Sequence, residues 1–355
     1  MDITFGTFQM HVSAWFIIFL VLFLPLVLRL LKKLKKGPEH HDSRGHKLVP
    51  HTLGSSFDLP EQTIAIVDVR GPILTSAMGV PPFVARNATF GIETGTLIRE
   101  LADNDQVAAI MVRINTPGGT VAGSEEIGDA IAEASGKKPV VAFIEDLSAS
   151  GGVLAMVGAK AIVAHPSALI GSIGVLGPTL KHYEDVTALG YGLLGESVTG
   201  KVTAEVMYAG AGKALGSPFV ERDEKSIEYF QALLNDSYDR FRTRVSKARH
   251  IADATLRDLG ARVVSAAHAK VLGLIDMLGT EQSVLETICE GLGVDLEDAN
   301  IIAVKPKPTS RTSPLSALFE TTPPTSARME VGHLLRGETL LLCAPHALRS
   351  YGFVL

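Results

Sequence analysis

Residues 107–134 read VAAIMVRINTPGGTVAGSEEIGDAIAEA. The stretch VAAIMVRI at 107–114 is an apolar run broken only by Arg113, the pattern of a strand buried on both faces. It stops at Asn115-Thr116-Pro117-Gly118-Gly119, where proline and paired glycines punctuate the chain. From Ala122 the pattern changes to AGSEEIGDAIAEA, a helix with Glu125 and Glu126 near its start, where the helix dipole favours anions. Strand, glycine turn and helix in immediate succession mark one unit of an α/β fold.

The same alternation continues on either side. TIAIVDV (63–69), PVVAFI (139–144) and AIVAH (161–165) read as further buried strands, and 94–102 reads as a helix. VLGLIDMLG (271–279) continues the theme. Residues 219–249 form a long amphipathic helix, with Ile227, Phe230, Leu233, Leu234, Tyr238 and Phe241 at three- and four-residue steps. The expectation is a mostly parallel sheet covered by helices.

Composition narrows the function. The chain has 355 residues, with 33 Lys+Arg against 38 Asp+Glu and a net charge of −5. That balance excludes a basic nucleic-acid footprint. An apolar content of 46% excludes a largely disordered chain. The two cysteines, Cys289 and Cys343, cannot build a disulfide framework or a zinc ribbon, and they do not fix the redox compartment.

The N-terminal region has its own character. Residues 12–31, VSAWFIIFLVLFLPLVLRLL, would rise about 30 Å as a helix, enough to span a bilayer core. Arg29, Lys32, Lys33, Lys35 and Lys36 lie at or beyond its end, whereas a cleaved signal peptide carries its charges before the apolar run. The reading is an uncleaved single-pass anchor with Trp15 at an interface. The basic flank favours a cytoplasmic body and suits anionic headgroups. Residues 1–36 carry a charge of +4, which leaves −9 for the rest.

Four segments follow. Residues 1–36 are the anchor with its basic flank. Residues 37–62 are a polar linker whose four histidines, His40, His41, His46 and His51, lack the carboxylate or cysteine company of a metal site. Residues 63–303 are the α/β body. Residues 304–355 hold a Pro/Thr-rich segment and a tail.

Two glycine-rich turns carry the chemistry. Gly118 and Gly119 leave amide N–H groups unshielded, and the following helix adds its positive end, so the turn suits a developing oxyanion. In Ser148-Ala149-Ser150-Gly151-Gly152, a serine sits at a strand-to-helix turn among small residues. There Ser150 exposes its hydroxyl and the Gly151 amide points at the same oxyanion, the logic of a nucleophile elbow without the G-x-S-x-G pattern. A serine needs a base. His165 and His182, with Asp185 nearby, are candidates. So is Lys213, whose Gly/Ala-rich surroundings AGAGKALGSPF could bury and desolvate the amine. The residues alone do not choose.

Taken in order, four stretches resemble the signal peptide peptidase A type of serine protease, related in fold to Clp protease and the crotonases. They are RINTPGGTVAGSEEI, SASGGVLAMVGAKAIVAHPSALIGSIGV, AGAGKALGSPF and ARVVSAAHAKVLGLIDMLG, and the likeness covers about residues 63–285. The resemblance implies a Clp/crotonase-like fold of repeated β-β-α units behind an N-terminal transmembrane helix. It implies a Ser–Lys dyad, with Ser150 as nucleophile and Lys213 as general base. Gly118, Gly119 and Gly151 match the oxyanion hole, and Ser172 matches a serine that orients the lysine. No metal or cofactor is implied. The substrates implied are signal peptides or other membrane-associated peptides and proteins, and the assembly is a homo-oligomeric ring in which neighbours share the dyad. The family also favours the outer side of the membrane, against the charge flank. Two departures stand out: Val153 replaces a frequent aromatic residue, and Lys201 in VTGK is a second lysine, less well supported because SPF follows Lys213 in register. The rivals are a Clp-like triad of Ser150, His182 and Asp185, a crotonase-type hydratase or isomerase, and a non-catalytic membrane scaffold.

Overall fold

The computed structural model describes residues 2–5, 8–11, 41–42, 44–54, 59–78, 80, 87–177, 190–192, 195–197, 206–210, 212–217, 219–220, 223–306 and 340–342. The chain divides into two compact units, Met1–Leu48 and Val49–Leu355. In the first, β1 (Asp2–Phe5) and β2 (Phe8–His11) form an antiparallel pair. The expected anchor at 12–31 lies outside the described residues. Among the described residues no helix is long and apolar enough to cross a membrane.

The second unit follows the predicted alternation. In chain order it contains β3 (Lys47–His51, at which the two units divide), β4 (Thr63–Arg70), β5 (Ile73–Leu74), β6 (Thr89–Phe90), α1 (Gly91–Asp103), β7 (Val107–Thr116), β8 (Gly118–Thr120) and α2 (Val121–Ser135). Then come β9 (Val140–Ala149), α3 (Gly151–Met156), β10 (Ala161–Ala164), β11 (Leu169–Gly171), β12 (Gly190–Gly192) and β13 (Gly195–Ser197). The last elements are α4 (Glu224–Arg249), α5 (Asp253–Leu259), β14 (Val263–Ser265), α6 (Ala266–Val271), β15 (Met277–Leu278), α7 (Glu281–Leu292), β16 (Ile301–Pro306) and β17 (Leu340–Leu342).

The central sheet has nine strands and runs β14-β11-β9-β7-β4-β16-β3, with β10 and β15 branching from β9. The pairs β16–β4, β4–β7, β7–β9, β9–β10 and β9–β11 are parallel, and β11–β14 is antiparallel. This is the mixed α/β, mostly parallel architecture expected from the sequence. The core explains it. Ile64, Ala65, Ile66 and Val67 of β4, and Ile110, Met111 and Val112 of β7, are wholly buried. Consecutive buried residues are what a strand covered on both faces shows.

The structure extends the sequence reading in three places. Within the stretch expected as a polar linker, Lys47–His51 forms a strand, and His51 is buried with its Nε2 2.8 Å from Glu100 Oε2. The body runs past residue 303, because Val304 lies in β16, paired with Val67 and buried. The second glycine turn is shorter than expected: β9 continues to Ala149, so Ser150 stands directly at the strand's end.

A four-stranded sheet, β17-β8-β5-β6, is built around the first glycine turn. In it Gly119 pairs with Ile73 on one side and with Leu341 on the other. A Cβ on Gly119 would lie 1.8 Å from the Ile73 carbonyl oxygen, so only glycine fits there.

Candidate active site

β9, ten residues long, leads into the site. Its first half pairs with β10 at Val141–Ile144 and its second half with β11 at Leu147–Ala149. The strand therefore ends fixed on its neighbours, and Ser150 turns sharply into α3. Its backbone stands at φ 54° and ψ −116°, outside the regions that L-residues ordinarily occupy. Such a conformation costs of the order of 1–3 kcal/mol and persists only where the surroundings impose it. Here they do: the Ser150 N–H donates to the Gly171 carbonyl at 2.8 Å, and the Ser150 carbonyl accepts from Val153 N–H at 2.9 Å. The residue is wholly buried, and its Oγ has no hydrogen-bond partner among the described residues. A serine that capped its helix would have used this hydroxyl. Ser150 makes no such cap bond.

The glycine strand β8 lies beside this turn. A Cβ built on Gly151 would stand 3.1 Å from the Gly119 nitrogen and 2.2 Å from Ser124 Oγ. The backbones of Gly119 and Gly151 are therefore close neighbours. The two strand glycines are not equivalent. Gly118 N–H donates to Thr116 Oγ1 at 3.0 Å, and Thr116 Oγ1 donates in turn to the Gly71 carbonyl at 2.6 Å. That engagement occupies the Gly118 amide and gives Gly118 a turn-shaping role. Gly118 has φ 102°, which glycine adopts without strain.

Ser172 directly follows the carbonyl that holds Ser150. It is buried, has φ 53°, and donates its N–H to the Arg262 carbonyl at 2.9 Å. Lys213 is a different case. It is exposed, in a turn where its N–H donates to the Gly210 carbonyl at 3.1 Å, and its ammonium makes no hydrogen bond or ion pair within the described residues. Its small neighbours do not bury it, contrary to the expectation. His165 accepts the Ser167 N–H on Nδ1 at 3.2 Å and so serves its own turn. His182, Asp185 and Lys201 lie outside the described residues. Among the described residues no cluster of three or more His, Cys, Asp and Glu could hold a metal.

The profile of peptidase family S49 matches residues 132–295, which include Ser150, Ser172 and Lys213. A candidate protease of Methanocaldococcus jannaschii is 34% identical over 214 residues, covering 59% of this chain and 63% of that relative. A candidate protease of Synechocystis is 31% identical over 207 residues, covering 57% of this chain and 70% of the relative. The chain belongs to peptidase family S49. Within it, a candidate signal peptide peptidase A of Enterococcus faecium is 27% identical over 214 residues, covering 59% of this chain and 58% of the relative. This chain thus spans between 58% and 70% of the length of these S49 relatives.

The structure places further residues around Ser150 and the glycine turn that the sequence pattern did not single out. Thr116 joins β7 to β8 through its hydroxyl, and the N-T-P-G-G string placed it in plain view. Ser124 abuts Gly151 from α2, which no local pattern announces. Arg113, the one charge in the opening strand, is wholly buried: Nε donates to Asp68 at 2.7 Å and Nη1 to Glu281 at 2.9 Å. It fastens β7 to β4 and to the start of α7. Val153, where an aromatic residue was the more familiar choice, is fully buried core.

Proposed function

We propose that this S49 member is a serine endopeptidase that uses Ser150 and Lys213 as a dyad. The observation that carries the reading is Ser150 itself: a buried hydroxyl on a strained backbone at the end of β9, without a hydrogen-bond partner among the described residues, beside the closely apposed Gly119 and Gly151 backbones. Ser150 Oγ attacks the scissile carbonyl carbon, and its proton passes to neutral Lys213 Nζ. The tetrahedral oxyanion accepts hydrogen bonds from the Gly119 and Gly151 amides. Collapse breaks the C–N bond, and the leaving amine takes the proton back from the lysine. Water then attacks the acyl-enzyme with the same lysine as base, releasing the acid and restoring Ser150.

The exposure of Lys213 supports a further part of the proposal. An exposed lysine with no hydrogen-bond or ion-pair partner among the described residues suits delivery to a neighbouring subunit in a homo-oligomeric ring of the Clp/crotonase type. Ser172, next to the carbonyl that fixes Ser150, would orient the arriving amine. Residues 12–31 would anchor the ring in the bilayer, and the substrates would be signal peptides or other membrane-associated peptides.

The test is cleavage of a fluorogenic peptide by detergent-solubilised protein, alongside labelling with a fluorophosphonate-type serine probe. Ser150→Ala and Lys213→Ala are expected to abolish cleavage, and Lys201→Ala to retain it. Intact turnover by Ser150→Ala would end the peptidase reading. Mixing Ser150→Ala with Lys213→Ala protein tests the sharing of the dyad: mixed rings should recover part of the activity, and none recovered would place both residues in one chain.

A further inference from the structure

We propose that Ser124 is a positioning residue of this site. Its hydroxyl sets the separation between β8 and the Gly151 turn, so that the amides of Gly119 and Gly151 can share one oxyanion. The proposal rests on the peptidase reading above.

Ser124 is the fourth residue of α2 and is wholly buried. Its Oγ donates to the Thr120 carbonyl at 2.8 Å. A hydroxyl bonded to the carbonyl four residues back is ordinary in a helix and by itself assigns nothing. The second observation is the place of the oxygen. It stands 2.2 Å from the point a Cβ on Gly151 would occupy, and that same point is 3.1 Å from the Gly119 nitrogen. One hydroxyl therefore touches both arms of the site, the end of β8 through the Thr120 carbonyl and the nucleophile turn through Gly151.

The Thr120 end is itself well held. Thr120 Oγ1 accepts the Gly123 N–H at 3.3 Å and lies 3.0 Å from Thr75 Oγ1. With that end fixed, the Ser124 oxygen acts as a spacer of one atom's width against Gly151. Removing it leaves a gap into which the turn can settle. A methyl on Gly151 would compete for the same volume. An oxyanion held by two amides tolerates little of either, since a displacement of about 1 Å costs of the order of 10²-fold in rate. On this proposal Ser124 acts through the two backbones.

The experiment measures kcat, KM and melting temperature of the full-length, detergent-solubilised protein for the wild type, Ser124→Ala, Ser150→Ala, Gly151→Ala and the double variant Ser124→Ala/Gly151→Ala. Ser124→Ala is expected to lower kcat about 10- to 100-fold, with KM within about twofold and melting little changed. Gly151→Ala is expected to melt lower than the wild type, and the double variant to regain most of that loss because the competing oxygen is gone. A hydroxyl with a purely structural role would lower the melting temperature of Ser124→Ala and leave kcat alone. Wild-type kcat in Ser124→Ala, or a double variant no more stable than Gly151→Ala, would overturn the proposal while cleavage stays dependent on Ser150. Cleavage indifferent to Ser150→Ala would overturn the peptidase reading and this proposal with it.

Discussion

The backbone of Ser150 concentrates the problem this fold solves. A side chain at φ 54° and ψ −116° is strained, and the strain lifts the hydroxyl away from the cap position it would otherwise take. Glycine occupies that region freely. The two obvious replacements should therefore differ. Ser150→Ala keeps the Cβ and the strain, and Ser150→Gly releases it. The gain is offset in part by the greater freedom of glycine in the unfolded chain, so Ser150→Gly should exceed Ser150→Ala in stability by about 1 kcal/mol. Both should lack cleavage and probe labelling. Urea melts of the two proteins decide the matter, and an alanine variant more stable than the glycine variant would mean that the turn is not strained. Lys213 is instructive in the opposite way. Its surroundings read as a burying pocket, yet the side chain is exposed. Small neighbours permit burial only if something else comes to cover the amine.

Among the elements, β8 is the one that least resembles what it does. Three residues, Gly-Gly-Thr, carry no apolar pattern, and the stretch reads as a turn. It is a strand because its backbone pairs on both sides, with Ile73 and with Leu341. Gly119→Ala would place a Cβ 1.8 Å from the Ile73 carbonyl oxygen, and one backbone or the other must move. Cleavage should fall by about 10²-fold or more, the scale for loss of one oxyanion donor, with the melting temperature reduced. Circular dichroism melts beside activity assays would show both, and unchanged kcat would remove Gly119 from the oxyanion site. β4, β7 and the first half of β9 were legible because runs such as TIAIVDV and VAAIMVRI are apolar at consecutive positions, which only a doubly covered strand needs. α1 and α2 were legible to within three residues at either end. β11 and β14 were not, because strands of three residues hold too few side chains to show a period. The site was legible as a set of residue types in order. The φ of Ser150, the engagement of Gly118 by Thr116 and the contact of Ser124 with Gly151 were not, because each depends on a partner distant in sequence or on backbone angles.

At the scale of the molecule, the sheet is fastened by charges as well as by apolar packing. Arg113 is wholly buried in β7 and reaches Asp68 of β4 and Glu281 at the start of α7, while Arg70 bridges Asp68 to Glu145. Three strands and a helix thus meet at one ionic cluster. Burial alone would push the Asp68 carboxyl up, but the hydrogen bond and charge of Arg113, helped by Arg70 and Lys305, outweigh it and hold the group below its ordinary value of 3.8. A carboxylate whose pKa is depressed on folding binds its proton more weakly in the native state than in the unfolded one. Its contribution to stability is complete at pH values above the unfolded pKa and is lost as the pH falls through the folded one. The acid limb of the stability curve should therefore begin near pH 4 and steepen below it. Asp68→Asn should remove that part of the pH dependence. Near pH 7 it should also cost about 3 kcal/mol, because the buried Arg113 guanidinium loses the charged acceptor that its Nε holds at 2.7 Å. Urea midpoints of the wild type and Asp68→Asn between pH 6 and pH 2.5 test both statements. The two curves should converge as the pH drops, since protonation does to the wild type what the substitution has already done to the variant. Parallel curves across the whole range would mean that Asp68 titrates with the same pKa in the folded and unfolded chain, and the cluster would then hold the strands by packing rather than by charge.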